Sequence, residues 1–512
     1  MESWILRRLD FTDFLIEGGI MQNLPEVKLG IVAVSRDCFP VELSKKRRRG
    51  IVEECKKKAI PVKEMSTVVE NEKDVLAALE EISKKGINAL VIYLGNFGPE
   101  GPLSLLAQKF GGPVMLCAAA EETGKNLIDG RGDAYCGMLN ASYNMGLRRL
   151  LPHIPEYPVG IASEIAIMIR DFIPVARAVI GLKRLKVFSF GPRPQDFLAC
   201  NAPIKPLYDL GVEIMENSEL DLYDIYKEAD RDPRISKIEK DMAAELGKGN
   251  SYPDLIRKLA RYEAALLKFY SNNLGASEFG IFANKCWPSF EKYFEFVPCY
   301  VNSRLARAGI PVSCEVDIYG ALSEYMVSAV TEMPATILDI NNTVPADMIK
   351  INSAKVKGYK GTDLFMGFHC GNTASSCMKN CSIKYQLIMH RLMETGKEPD
   401  ITRGTLEGRI KPGDITVFRL QSTAGALLKS YVAQGEVLDI DPRSFGSIGV
   451  FAIPEMGRFY RYVLIGQRFP HHSAIGFEHA GKALFSVLKM LGIEDVYFNL
   501  PKGVYYKDEN PF

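Results

Sequence analysis

Through the first two thirds of the chain, short continuous apolar runs alternate with amphipathic stretches. From about residue 28, VKLGIVAVS reads as a buried strand, LSKKRRRGIVEECKKKA as an amphipathic helix and NALVIYLGN as another buried strand. Buried strands alternating with helices predict βαβ units around a parallel sheet covered on both faces. The stretch DVLAALEEISKKG ends on two lysines and a glycine, which compensate a helix dipole and permit a left-handed cap. A further strand, GPVMLCAAA, completes this first unit.

Near residue 180 the pattern restarts, with a strand in LKRLKVFSFGPRPQDF and the next in GVEIMEN. Leu220 to Asn272, rich in Glu, Lys, Ala and Leu, predicts helices, and GASEFGIFANKCW returns to the sheet. After about residue 345, DITVFRL, KSYVAQGEVLDI and RYVLIGQRF alternate apolar and polar positions, which predicts antiparallel strands. Pro412 and Gly413 in GRIKPGDITVFRL suit the turn of a hairpin. A final helix, roughly Gly481 to Leu491, is expected to pack on this β domain. The resulting division is an N-terminal extension (1–24), an α/β domain (25–182), a second α/β domain (183–346) and a C-terminal antiparallel β domain (347–512). A chain of 512 residues agrees with several cores rather than one.

Composition narrows the function classes. The 63 Lys plus Arg balance 62 Asp plus Glu, so no net field draws in nucleic acid or an acidic membrane surface. A small, uncharged ligand fits better. The eleven cysteines are scattered without a CxxC pair, as free thiols in a reducing compartment would be. Cys377 and Cys381 could share a helix face, but two thiols do not make a zinc set. The first twenty residues mix charges among apolar residues and lack the uninterrupted apolar run of a signal peptide or membrane span. A cytoplasmic protein without membrane or nucleic-acid partners is the expectation.

Three of only six histidines, His471, His472 and His479, fall within PHHSAIGFEHAG. Such crowding suits metal binding or a solvated turn equally. In PVSCEVDIYGALSEYMVSAV, Glu315 and Asp317 interrupt an apolar strand-to-helix transition, where carboxylates are costly unless paired or metal-bound. Asp317 is placed to cap the following helix; Glu315 has no such role. Asp339 closes the apolar run of ATILDINNT, at a strand end of the kind that carries ligand-binding groups, although a turn aspartate reads the same way. Two carboxylates and an imidazole would make a hard site suited to Mn²⁺ or Mg²⁺. His369, in FMGFHCGNTASS, could donate to a sugar hydroxyl, join a metal or be structural. Arg36, in AVSRD at the end of the first strand, could meet a ligand at the sheet edge or lie on the surface.

Taken in order, CEVDIYGALS with Asp339 after it, FHCGNTA, LEGRIKPGDITVFRL and HHSAIGFEHAG resemble the L-fucose isomerase family, and more distantly the L-arabinose isomerases. The resemblance implies two Rossmann-like α/β domains, a C-terminal β-barrel-like domain and a homohexamer or trimer-based oligomer. It also implies a site for Mn²⁺, or Mg²⁺ or Co²⁺, held by Glu315, Asp339 and His472. His472 rather than His471 matches the metal-binding position, because seven residues separate it from His479. His471 then stands beside the sugar, where the family has Asn, which brings the chain closer to the His-His pair of arabinose isomerases. His369 also has a counterpart there.

Moving a carbonyl between C1 and C2 requires carbon deprotonation, which a chelated cation and a carboxylate pair make accessible through an enediolate. Glu315 and Asp339 are expected as both ligands and acid/base groups. L-fucose, D-arabinose or L-arabinose would be the monosaccharide, contacted by His369, His471 and Arg36 and by loops including Asn96, Asn284 and Trp287. A metal-dependent sugar epimerase or lyase would use similar chemistry, and a sugar-binding protein would suit paired α/β domains.

Overall fold

A computed structural model describes residues 23–389 and 402–510; of the expected N-terminal extension, residues 1–22 lie outside these. The chain divides into two compact units, Pro25–Gly181 with Lys482–Glu494, and Leu182–Gly481 with the segment from Asp495 and the described residues before Pro25. No described helix is long and apolar enough to cross a membrane.

The first unit holds five strands, β1 (Leu29–Val34), β2 (Lys63–Val69), β3 (Ala89–Leu94), β4 (Val114–Ala119) and β5 (Val159–Gly160). They pair in parallel in the order β2-β1-β3-β4-β5. Every residue of β1, β3 and β4 is buried, as expected for strands covered by helices on both faces. The helix Glu72–Lys84 ends as its sequence predicts, with Gly86 at φ 63°. The late helix Gly481–Met490 differs from expectation. Apart from its first residue it belongs to this first unit, where Lys482 reaches Glu156 at 3.7 Å, and not to the β domain. Its apolar face, with Leu484, Val487 and Leu488 buried, is blind to which sheet it will cover.

The second unit opens with another parallel sheet, of β6 (Leu185–Gly191), β7 (Glu213–Ser218), β8 (Phe279–Ala283) and β9 (Val312–Ser313), in the order β7-β6-β8-β9. The helices Glu219–Glu228, Ile235–Leu246 and Ile256–Asn273 fill the region expected to be helical.

Nine further strands form a mixed sheet: β10 (Thr336–Thr343), β11 (Leu364–His369), β12 (Met378–Tyr385), β13 (Arg403–Ile410), β14 (Gly413–Ser422), β15 (Leu428–Leu438), β16 (Ser447–Ala452), β17 (His472–Gly476) and β18 (Asp495–Phe498). A β15–β16 pairing closes β16-β11-β10-β17-β14-β15 into a ring in which every neighbour is antiparallel. The parallel contacts, β13 with β16 and β15 with β18, lie outside the ring. Closure requires Gly435: a Cβ there would stand 2.0 Å from the Ala452 carbonyl oxygen.

Three local expectations are corrected. β13 and β14 flank Lys411 and Pro412 but do not pair; β13 joins β12 and β16, while β14 joins β15 and β17. A two-residue hairpin needs positive φ in its turn, and proline holds φ near −65°, so the chain is sent to a different neighbour. RYVLIGQ is helical, with Met456–Phe459 continuing into a π-helical turn over Tyr460–Ile465. The buried set Met456, Phe459 and Val463 has helical spacing that the apparent alternation masks. Cys381 lies in strand β12 and Cys377 in the turn before it, so the two share no helix face.

Candidate active site

Within the second unit, Glu315 follows β9 at the carboxyl edge of the parallel sheet, in a tight turn over Cys314–Val316. Glu315 and Val316 both take left-handed backbone conformations, with φ 54° and 60°. For a β-branched residue this costs about 1–3 kcal/mol, a strain typical of functional sites. The Val316 N–H donates to the Asn284 carbonyl at 2.9 Å, and the Asn284 N–H to the Ser313 carbonyl at 3.0 Å, so β8 braces the turn.

Asp339 and His472 come from the ring. β10 lies between β11 and β17, and the β10–β17 register sets Asp339 directly opposite His472. Directly opposed residues share one face of the sheet with Cβ atoms about 5 Å apart. His369 ends β11 on the other side of β10. Two adjacent antiparallel pairings thus bring residues distant in sequence to one end of the ring.

His472 Nε2 lies 3.1 Å from Glu315 Oε2 and 3.4 Å from Asp339 Oδ1. All three atoms are buried and lack a hydrogen-bond partner. With His472 Nε2 unprotonated, the three are convergent acceptors that repel one another, and a divalent cation resolves that conflict. The donor set fits: two carboxylate oxygens and an imidazole nitrogen suit a hard or borderline metal.

The opposite edge of His472 fixes its tautomer. Its Nδ1 is 2.9 Å from Asp317 Oδ2. Burial raises the Asp317 carboxyl, but Arg419 and His472 outweigh it and hold the group well below the usual carboxylate range. An ionised carboxylate only accepts, so His472 Nδ1 carries a proton, and in the neutral ring Nε2 presents its lone pair to the trio. Arg419, fully buried on β14, grips Asp317 with two bonds of 2.6 and 2.9 Å, and Gln421 takes the guanidinium's Nε at 3.0 Å. Asp317 also caps the helix Ile318–Thr331 by accepting the Gly320 N–H at 2.8 Å, as its sequence position predicts.

The titrations follow from these contacts. Burial raises the Glu315 carboxyl, yet His369 and His472 pull it well below its ordinary value. Burial lowers the His472 imidazole, yet Asp317, Cys200 and Glu315 hold it well above its ordinary value, so without a cation Nε2 also takes up a proton, which a bound cation would displace. Burial and the neighbouring His472 lower His471.

His369 Nε2 stands 3.8 Å from Glu315 Oε2, and its Nδ1 accepts the Cys370 N–H at 2.9 Å. In the neutral ring Nε2 therefore carries the hydrogen and faces the trio as a donor. His471 Nε2 is 3.7 Å from Asp339 Oδ1. Phe197 packs edge-on against His471 and Trp287, with ring centroids 5.3 and 6.2 Å away, and forms an aromatic wall beside the trio. Asn284 is fully buried, its amide donating to the Tyr262 hydroxyl at 3.2 Å. His479 meets the Gly435 carbonyl at 3.0 Å instead of joining its fellow histidines.

Arg36 and Asn96 belong to the first unit, at the carboxyl ends of β1 and β3, where the strand order reverses. Asn96 Oδ1 accepts the Arg36 N–H at 3.1 Å, and the Arg36 guanidinium pairs with Glu100 at 3.2 Å and covers Phe97.

Sequence reasoning missed Arg419, Gln421, Phe197 and Cys200, whose sulfur is 3.7 Å from His472 Nδ1. Arg419 had a usable signal: an arginine between Phe418 and Leu420 in a strand needs a buried partner. Phe197 and Cys200 had none.

Residues 30–183 match the N-terminal domain of fucose/sulfoquinovose isomerases, and residues 367–499 match the C-terminal domain of L-fucose isomerase. These matches make the protein a sugar isomerase of the kind that interconverts aldose and ketose. The chain belongs to the fucose/sulfoquinovose isomerase family. It is 22% identical to a sulfoquinovose isomerase of Priestia aryabhattai, over 90% of this chain and 97% of that protein. A sulfoquinovose isomerase of Clostridium sp. (strain MSTE9) is 24% identical, over 72% of this chain and 76% of that protein.

Proposed function

We propose that Glu315 and Asp339 carry the aldose–ketose conversion as an acid/base pair, through an enediolate. The observation that supports this most directly is the convergence of Glu315 Oε2, Asp339 Oδ1 and His472 Nε2, each buried and without a partner. These residues would hold a divalent cation, Mn²⁺ by preference, with Mg²⁺ or Co²⁺ as alternates. Bound there, the ion supplies Lewis-acid stabilisation of the negative charge that develops on the sugar's O1 and O2.

The protein's own groups move the protons. One carboxylate takes the hydrogen from C2 of the aldose as a proton and, as the acid, returns it to C1. The other accepts the proton of the O2 hydroxyl and delivers it to O1, so the C1 carbonyl becomes a hydroxyl and C2 becomes the ketone. The depressed Glu315 carboxyl is ionised at neutral pH, as a base must be. His369 donates through Nε2–H to a sugar oxygen, and His471 lies on the Asp339 side as a second sugar contact. Trp287 and Phe197 offer the apolar wall against which a pyranose or open-chain sugar packs.

The resemblance to fucose isomerases points to L-fucose, D-arabinose or L-arabinose, and the names of the curated relatives add sulfoquinovose. Assembly as a homohexamer, or another trimer-based oligomer, belongs to the same proposal. The test is to incubate the Mn²⁺-loaded protein with each of these four sugars and identify products by NMR. Ketose formation from one of them, lost in Glu315→Gln while the fold is kept, supports the reading. An epimer, a cleavage product, or sugar binding indifferent to metal rejects it.

A further inference from the structure

Cys200 takes no part in the chemistry assigned above, yet its sulfur stands 3.7 Å from His472 Nδ1. Cys200, Glu315 and His472 each offer a ligand atom within 4.8 Å of the other two. His472 Nε2 and Glu315 Oε2 are buried and lack a hydrogen-bond partner, and Asp339 Oδ1 lies 3.4 Å from the same Nε2. Cys200 thus sets a soft donor beside a site whose other donors are hard or borderline.

A second thiol lies nearby but is differently placed. Cys314 forms a similar set with Glu315 and His369. His369 Nδ1 accepts the Cys370 N–H, so Nε2 holds the ring's hydrogen and has no lone pair to give a cation. Cys314 itself is sealed in the core. Cys200 is only half-buried, in the three-residue turn Leu198–Cys200, whose Leu198 and Ala199 are exposed. With Arg193, Val316 and Tyr319 it lines a cleft of about 500 Å³, which gives an ion a path to the sulfur.

Ligands about 2.0–2.3 Å from one zinc ion in a tetrahedron stand about 3.5 Å apart. Separations of up to 4.8 Å leave the sulfur about 1 Å to travel, within the reach of a surface turn. Cys200 added to Glu315, Asp339 and His472 supplies the four ligands that fill a tetrahedral ion, whereas a catalytic ion must keep a position open. Mn²⁺ and Mg²⁺ prefer oxygen donors, would leave the thiol aside and would keep positions for the sugar.

We infer that Cys200 is the ligand by which a thiophilic cation, Zn²⁺ or Cd²⁺, is held at this site and closes it to sugar. The ion displaces the thiol proton to solvent and takes the sulfur as thiolate, so no oxidant or reductant is required. The inference rests on the trio being a cation site, as proposed above.

Cys200→Ser tests it, because serine keeps a hydrogen-bonding group beside His472 but removes the soft donor. One equivalent of Cd²⁺ added to the metal-free full chain should raise the ultraviolet charge-transfer band of a cadmium–thiolate bond, and the serine variant should lack that band. In calorimetric titrations the variant's affinity for Zn²⁺ should fall at least about tenfold more than its affinity for Mn²⁺, since a direct ligand is worth no less than the 10–100-fold of an outer-shell partner. Zn²⁺ added to the Mn²⁺-loaded protein should block ketose formation in the wild type at a concentration about tenfold lower than in the variant. A cadmium band of equal height in the variant overturns the inference, as does a loss of affinity shared equally by the two ions, and both outcomes leave the trio standing. Failure of the wild type to bind Mn²⁺ overturns the two readings together.

Discussion

Asp317 Oδ2 lies 2.9 Å from His472 Nδ1, with Arg419 gripping the same carboxylate from behind. The pair converts a helix cap into a device that sets which imidazole nitrogen faces Glu315 and Asp339. Asp317 is therefore a positioning residue, acting on the site through His472.

Replacing Asp317 by Asn keeps its shape but removes the charge that fixes the tautomer. Metal affinity, measured by calorimetric titration of Mn²⁺, should fall about 10–100-fold. Glu315→Gln measured alongside should lose still more affinity. Unchanged affinity in the Asn variant would remove Asp317 from this role without touching the assignment of Glu315.

Arg419→Met should be severely destabilising, by about 3–5 kcal/mol in urea unfolding, because it leaves Asp317 buried and unpaired. A double variant that also replaces Asp317 by Leu should recover part of the loss. Equal destabilisation in the single and double variants would show that the guanidinium matters for packing alone.

The depressed Asp317 carboxyl gives a pH signature. A carboxyl whose folded pKa lies below its unfolded value contributes stability that is fully present above the unfolded value and lost as pH falls through the folded one. The stability difference between wild type and Asp317→Asn should therefore be level between about pH 5 and 6, below the range in which His472 titrates in the unfolded chain, and shrink below about pH 4. Urea midpoints across this range would reveal a difference that instead grows in acid.

Removing divalent metal with a chelator should lower the thermal midpoint, and restoring Mn²⁺ at 100 times its Kd should return about 2.7 kcal/mol. His472→Gln should abolish this gain. A gain that survives in that variant would place the cation elsewhere.

Much of this was legible in local pattern. β1, β3, β4, β6, β7 and β8 lie where apolar runs predict them, and two of the alternating segments, DITVFRL and KSYVAQGEVLDI, fall in β14 and β15 of the ring. Glu315 was conspicuous because a carboxylate at an apolar strand end needs a reason. The KPG segment and RYVLIGQ misled because two strand-like runs in sequence do not have to pair, and short apolar runs fit either period.

By itself the sequence determined the succession of elements, the carboxylates and histidines available, and the cap at Asp317, because these depend on residues within a turn or two. Only the tertiary structure decided that β10 lies between β11 and β17, so that Asp339 faces His472. It alone decided that Arg419 neutralises Asp317, from 102 positions away in the chain. Strand neighbours and buried ion pairs are settled by the summed packing of the whole core, which no local window contains.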